Sequence, residues 1–165
     1  METHIARALH EDHMVTLAFL ERLEALLARH RPGYPPVAAT PAIAALLRDC
    51  ERTVASEIGQ HFDFEEAEIF PRLAAAGADA MVHVLIEEHE EIRPLAQSLV
   101  ASARQGEAHG FVADIWAEFH AAAATFASQL EAHIAKEEMG LLPVVDDIID
   151  METDSALSLV FANQR

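Results

Sequence analysis

A chain of 165 residues is long enough to bury one full hydrophobic core and short for two. Its formal charge of -17 disfavours nucleic acid and anionic membrane surfaces as partners, because such surfaces bind clusters of Lys and Arg. A single cysteine excludes an internal disulfide, and no apolar run of about 18 residues predicts a membrane span. We therefore expect one domain over residues 1–165, located in the cytoplasm.

The composition favours helices. Ala and Leu dominate a hydrophobic fraction of 52%, while β-branched and aromatic residues are sparse. The predicted fold class is all-α, with an antiparallel up-down-up-down four-helix bundle over about residues 3–145. Short C-terminal helices are expected over about residues 146–165.

The first predicted helix runs from about Thr3 to Arg29 and is amphipathic. Its apolar positions recur in steps of three and four, and His13 fills a gap in that line. The line consists of Leu9, Thr16, Leu20, Leu23 and Leu27. His10 lies one turn before His13, so the sequence leaves open whether it replaces or supplements His13 at a site. The apolar line favours His13.

The second predicted helix follows a break rich in Pro and Gly. Thr40-Pro41 is typical of an N-cap and a first helical residue, and the pattern continues to about Ala75. Its apolar line contains Ile43, Leu47, Cys50, Val54, Ile58 and Ile69. His61 and Glu65 lie on the same line, so the pattern places them inside the protein.

The third predicted helix begins at an Asp79 cap and ends near Arg104, before a turn at Gln105-Gly106. His89 lies on its inner face, at nearly the same distance from the turn at Gly77 as Glu65 on the helix before it. An antiparallel pair joined at this turn therefore brings Glu65 and His89 to one level.

The fourth predicted helix begins after a break near Gly110 and carries His133 and Glu137 on its apolar line. His89 lies 15 residues before Arg104 and His133 lies 23 after Gly110, a mismatch of roughly 12 Å at ~1.5 Å per residue. We therefore expect this helix to begin later than Gly110, or the loop to climb. Beyond it, the interruption between the short helices is expected between Asp150 and Asp154.

Two stretches repeat one motif. Residues His61–Pro71 and His133–Pro143 each place a His four residues before a doubled Glu, and each closes with two apolar residues and a Pro. Residues four apart on a helix lie on one face, so each stretch offers an imidazole and a carboxylate that point the same way.

These polar residues need a neutralising partner. Burying an unpaired carboxylate or a charged imidazole costs several kcal/mol, and six such groups would consume a typical domain stability of ~5–15 kcal/mol. Imidazole and carboxylate together suit Fe, Mn or Zn, and carboxylates from two opposing helices can bridge two cations. The predicted metal ligands are His13, His61, Glu65, His89, His133 and Glu137.

The order of the motifs resembles the hemerythrin-like HHE cation-binding family over about residues 3–145. Asp-His comes first, then His-x-x-x-Glu-Glu, then Glu-His, then a second His-x-x-x-Glu-Glu with its apolar pair and Pro. The resemblance implies a four-helix bundle that holds two iron ions on these six residues. It further implies that carboxylates and a solvent-derived oxo or hydroxo group bridge the two ions.

Two features differ from the oxygen-carrying hemerythrins. Leu85 and Arg93 stand one turn from His89 where a further His would be needed, and the last motif has a spacing of four with Glu where the carriers use five with Asp. The ligand set is more similar to bacterial proteins linked to nitric-oxide stress and repair of iron centres. We expect a protein that binds or reacts with O2, NO or peroxide, in sensing or stress protection and not in reversible oxygen carriage.

Two alternatives remain open at this point. One is iron storage, delivery or iron-centre repair without turnover, and the other is a structural zinc or manganese site. Glu66 and Glu138 are predicted to be solvated or to accept hydrogen bonds from ligands, not to bind metal. No His has a Glu three residues before it, which excludes the Glu-x-x-His pattern of ferritin-like oxidases.

Overall fold

The computed structural model describes residues 3–37 and 40–164 of the chain, apart from the side chain of Glu57. The described residues form helices joined by short connections, with no strand among them. The predicted all-α class is therefore confirmed. Residues 1, 2 and 165, at the ends of the predicted domain, lie outside the description. No helix within it combines the length and apolarity needed to cross a membrane.

Helix α1 spans His4–Arg29, close to its predicted bounds. Thr3 is the N-cap, and its hydroxyl accepts a hydrogen bond from the N–H of Ala6, which satisfies one of the free donors of the first turn. The predicted apolar line is buried along the whole helix, and His13 is buried with it. The spacing of apolar residues was thus sufficient to orient this helix.

Helix α2 occupies residues 41–75 and alternates between α-helical and π-helical turns. Thr40 is its N-cap and Pro41 its first residue, as predicted. The successive segments are Pro41–Thr53, Val54–His61, Phe62–Phe64, Glu65–Ile69 and Phe70–Ala75, of which the second and fourth are π-helical. The π turns were not predicted, because the apolar line does not distinguish a single widened turn from an α turn.

Helix α3 spans Asp79–His109 and differs from the prediction at both ends. Ala78, not Asp79, is the N-cap, and Asp79 is the first helical residue. The predicted turn at Gln105-Gly106 is wrong, since the helix continues through both residues. Gly106 serves packing instead: a Cβ there would collide with the ring of Phe111. The turn is made at Gly110, whose φ of 76° favours glycine.

Helix α4 occupies residues 113–148 and resolves the predicted mismatch of level. Its segments are Ala113–Lys136, the π-helical Glu137–Leu141, and Leu142–Ile148. His89 lies 20 residues before the end of α3 at His109, and His133 lies 20 after the start of α4 at Ala113. The expectation that the helix begins later than Gly110 was right. The remainder of the predicted mismatch disappears because α3 continues to His109 instead of ending near Arg104.

Helix α5 spans Met151–Asn163 and folds back onto α1. Asp150 caps it by accepting a hydrogen bond from the N–H of Thr153, so the chain breaks at the beginning of the predicted interval. Asp154 is buried and accepts hydrogen bonds from the N–H groups of His4 and Ile5 at 2.9 and 2.8 Å. A carboxylate at a helix N-terminus is favourable, and this contact fixes α5 to the start of α1.

Two buried apolar clusters lie on either side of one polar layer. One contains Phe19, Leu47, Leu99 and Trp116 among others, and the second contains Leu9, Phe64, Leu85, Leu142 and Phe161 among others. The residues between them include the six predicted metal ligands, all buried. The fold therefore holds a ring of polar side chains between two hydrophobic cores.

Candidate metal centre

The structure brings all six predicted ligands together. They form two sets of four, and within each set one ligand atom per residue lies within 4.8 Å of all the others. The first set is His13, His61, Glu65 and Glu137, and the second is Glu65, His89, His133 and Glu137. Each of the four long helices contributes at least one residue, and the two glutamates belong to both sets. This is the arrangement expected of two adjacent cation sites.

Glu65 turns one carboxylate oxygen toward each set. Its Oε1 lies 3.3 Å from Nε2 of His61, and its Oε2 lies 3.5 Å from Nε2 of His89. Donor atoms about 2.1 Å from one metal ion and at right angles to each other are about 3 Å apart. The spacing therefore suits a carboxylate that has one oxygen available to each of two ions.

Glu137 on α4 likewise turns one carboxylate oxygen toward each set. Its Oε2 lies 3.1 Å from Nε2 of His13, and its Oε1 lies 3.0 Å from Nε2 of His133. The imidazoles of His89 and His133 also converge, with their Nε2 atoms 3.0 Å apart. The two half-sites, defined here as the His13–His61 half and the His89–His133 half, thus share both carboxylates.

Local helix geometry repeats at the two glutamates. Glu65 and Glu137 each begin a π-helical segment, and each carbonyl accepts from the N–H five residues on, that of Phe70 or Leu142. A proline follows at the next position in both cases. Proline has no N–H and its ring clashes with an ordinary α-helical turn, so the wider turn accommodates it. π turns are frequent at functional sites, and here each begins at a shared carboxylate.

Unpartnered polar atoms face the space between the half-sites. Both oxygens of Glu65, both oxygens of Glu137 and Nε2 of His13 are buried without a well-aligned hydrogen bond, although imidazole nitrogens lie 3.0–3.5 Å from the carboxylate oxygens. Such groups cost about 1–3 kcal/mol each when left unsatisfied, and more when charged. Metal ions would bind the same atoms and remove that cost, so the residues present fit a pair of cations.

Protonation is distributed unevenly within the site. Burial and the neighbouring carboxylate of Glu137 raise the pKa of Glu65 to about 7. Burial opposes the charged form of Glu137 as well, but His133 and His13 hold the pKa of that carboxyl well below its usual range. Burial alone would lower the pKa of His133, yet Glu137 and other carboxylates raise it to about 9. Metal binding must displace such protons.

A second layer of carboxylates holds the histidines in place. Each of the four has an acidic side chain from a neighbouring helix beside its Nδ1. The pairs are His13 with Glu138 at 2.6 Å, His61 with Asp12 at 3.5 Å, His89 with Glu66 at 2.8 Å, and His133 with Glu88 at 2.9 Å. A carboxylate can only accept, so it favours the tautomer with the proton on Nδ1 and leaves the Nε2 lone pair for a metal.

These outer pairs run around the molecule from helix to helix. Asp12 joins α1 to α2, Glu66 joins α2 to α3, Glu88 joins α3 to α4, and Glu138 joins α4 to α1. Glu66 and Glu138 accept hydrogen bonds from His89 and His13, which are candidate ligands, and this is one of their two predicted roles. Asp12 and Glu88 were not assigned a role from the sequence. The sequence feature that could have identified them is an acidic residue directly before a buried His, which occurs on both α1 and α3.

Three of the outer carboxylates also contact a basic side chain nearer the surface. The pairs are Glu66 with Arg93 at 3.0 Å, Glu88 with Lys136 at 2.6 Å, and Glu138 with His10 at 2.9 Å. His10 therefore neither replaces nor joins His13 in a cluster: it binds the carboxylate that holds His13.

Cys50 is buried and free, and burial raises the pKa of its thiol to about 12, in line with an inert core residue.

Comparison with known proteins supports the arrangement. The family model described as the Hemerythrin HHE cation binding domain matches residues 4–145. That range contains all six candidate ligands and ends before helix α5. A comparison with curated proteins gives no match.

Proposed function

Because the chain belongs to the hemerythrin HHE cation-binding domain family, we propose that its buried site holds two iron ions and binds or reacts with O2, NO or peroxide. The observation that carries the proposal is the sharing of Glu65 and Glu137 between two four-residue sets. A bound metal pair would supply the redox chemistry and the open coordination positions for a small ligand. The role we propose is sensing or stress protection.

The ligands we propose are His13 and His61 for one ion, His89 and His133 for the other, with Glu65 and Glu137 as bridges. We also propose that α1 to α4 run up, down, up and down. The agreement in level at the turns between α2 and α3 and between α3 and α4 supports that topology. The protein matrix orients the imidazoles, and the surrounding apolar clusters keep bulk water away.

Reversible oxygen carriage is not part of the proposal. Leu85 is buried in the apolar cluster, and Arg93 is engaged with Asp63 and Glu66. Neither can add a donor next to His89. The two half-sites therefore offer equal numbers of protein donors, and neither has a further imidazole to complete the coordination of its ion. Two ions that both lack a full set of protein donors favour oxidation, peroxide decomposition or capture of nitric oxide over clean release of oxygen.

Metal analysis together with an optical spectrum tests this proposal. Protein purified without air from iron-replete cells should hold two iron ions per chain, and air should convert the reduced form rapidly to an oxidised form. Tightly bound zinc without iron would favour the structural alternative. Oxygen uptake that vacuum reverses would contradict the exclusion of a carrier role.

A further inference from the structure

Helix α5 carries an aromatic side chain to one side of the metal centre. Asp154, Leu157 and Phe161 are all buried and lie on one face of the helix. Asp154 is fixed at the start of α1, so the helix cannot slide freely. The Phe161 ring stands edge-on to His61, with centroids 6.1 Å apart, and packs on Phe64 at 4.7 Å. This helix lies beyond the residues that define the family match.

A small cavity lies at the same place. Its volume is about 40 Å³, and its lining consists of Asp12, Ser56, Gln60, His61, Phe161 and Gln164. A cavity of that size holds about one water molecule or one diatomic molecule. Gln60 and Gln164 are exposed and His61 is buried, so the cavity lies between the surface and the His61 ring, on the side where Asp12 contacts Nδ1.

The opposite half-site is covered by aromatic rings. Phe62 stacks on His89 with ring centroids 3.6 Å apart and planes 5° apart, and Phe70 lies 5.4 Å from the same imidazole. Phe62 also meets His133 edge-on at 5.2 Å. Stacking at this distance leaves no room for a molecule between the rings. The His89 side is therefore occupied by packed rings, whereas the cavity lies on the His61 side.

We propose that small neutral ligands reach the metal centre through the cavity at His61, and that Phe161 narrows this path. The inference rests on the proposed function, since it requires a metal centre that takes a small ligand. The carboxylate of Asp12 lines the cavity, so an anion would meet repulsion that a neutral molecule such as nitric oxide would not. Phe161 is thus a residue that controls access, not one that binds metal.

The test uses full-length iron-loaded protein, reduced and mixed with nitric oxide in a stopped-flow spectrometer. Phe161→Ala should raise the association and dissociation rate constants together by about tenfold, and Phe161→Trp should lower both, because a narrowed path slows passage in both directions. The equilibrium dissociation constant should stay within about twofold, since the end states are unchanged. Iron content and melting temperature are measured for every variant.

Leu157→Ala is the matched control. Leu157 lies on the same face of α5 and is buried, but it does not line the cavity. It should lower stability as much as Phe161→Ala without changing the binding rates. Equal acceleration in both variants would mean general loosening of α5 and would overturn the proposal, as would unchanged rates in Phe161→Ala. Protein that holds no iron, or holds it without binding nitric oxide, would instead contradict the proposed function.

Discussion

The His89–His133 half and the His13–His61 half have the same ligand types but different surroundings. His89 stacks on Phe62, and the basic side chains of Arg93 and Lys136 contact Glu66 and Glu88, the outer carboxylates of this half. In the other half, the carboxylate that holds His13 is paired with a histidine, and a cavity reaches the ring of His61. Repetition in the sequence thus produces two equivalent ligand sets, while the packing around them makes the sets unequal.

If the site holds two ions as proposed, this inequality would separate two tasks within one centre. A covered half with fixed charges suits a metal position that stays structurally constant. A half beside a cavity suits the position that meets a ligand. The shared carboxylates couple them, so a change confined to one half is expected to be felt at both.

Loss of a bridge should affect both halves, while loss of a terminal histidine should affect one. Glu137→Ala removes a donor from each set, so we expect the metal content to fall from two ions per chain to well below one. His61→Ala should retain about one ion. Elemental analysis after gel filtration measures this. Full occupancy in Glu137→Ala would show that the glutamate is not shared.

Removal of the metals should destabilise the fold and loosen the two halves unequally. Saturating metal stabilises the native state by ~4 kcal/mol at a thousandfold excess over the dissociation constant, which corresponds to roughly 10 °C in melting temperature for a chain of this size. The half held by aromatic stacking should remain the better protected in hydrogen exchange. Equal melting temperatures with and without metal would contradict this prediction.

The metal-free protein should lose stability as pH rises from 6.5 to 9. Burial lowers the pKa of His133, but Glu137 and other carboxylates outweigh it and raise the pKa to about 9. The folded state then binds a proton that the unfolded state releases above about 6.5, so this stabilisation is complete below 6.5 and lost through 9. The change amounts to about 3 kcal/mol. Denaturant unfolding at several pH values measures it, and metal-free His133→Gln should show a smaller decline, because only the raised pKa values of Glu65 and His13 still contribute.

The apolar lines and the motif spacing were enough to predict the all-α class, the helix order and the six residues that meet. The periodicity of apolar residues predicts which face of a helix is buried. The His-x-x-x-Glu spacing predicts that the His and the Glu both lie on that face. The spacing could not predict where α3 ends, because a Gln-Gly pair is typical of a turn. Gly106 is instead inside the helix, where the ring of Phe111 packs against it and leaves no room for a Cβ. It also could not reveal the outer contacts of Asp12, Glu88 and His10, which cross between helices.

The role of α5 was equally hidden from the sequence. Asp154 and Phe161 have ordinary spacing in a short helix, and nothing local indicates that one caps α1 while the other reaches His61. Such contacts depend on how the chain folds back after Ile149. Long-range placement of this kind is a property of the packed molecule, so it required the structure.

The smallest expected difference separates the two outer carboxylates Glu66 and Glu138. One oxygen of Glu66 is shared by the His89 imidazole and the Arg93 guanidinium, at 2.8 and 3.0 Å. Glu66→Gln would remove this negative charge and leave Arg93 with Asp63 as its carboxylate partner, so the arginine charge beside the cation site would be less fully compensated. Glu138→Gln would leave only His10, which carries no permanent charge. Loss of an outer partner typically costs 10–100-fold in metal affinity, so we expect about 100-fold for Glu66→Gln and about tenfold for Glu138→Gln.

Competition with a chelator at pH 8 measures both affinities, and Glu90→Gln, on the exposed face of α3, is the matched control. Both variants should still bind two ions at saturation, because neither residue contributes to a ligand set. The double variant Glu66→Gln with Arg93→Gln should recover part of the lost affinity, since it also removes the arginine charge that Glu66 no longer compensates. If Glu138→Gln weakened binding as much as Glu66→Gln, or if the second substitution recovered nothing, the charges behind the His89–His133 half would not distinguish it from its counterpart.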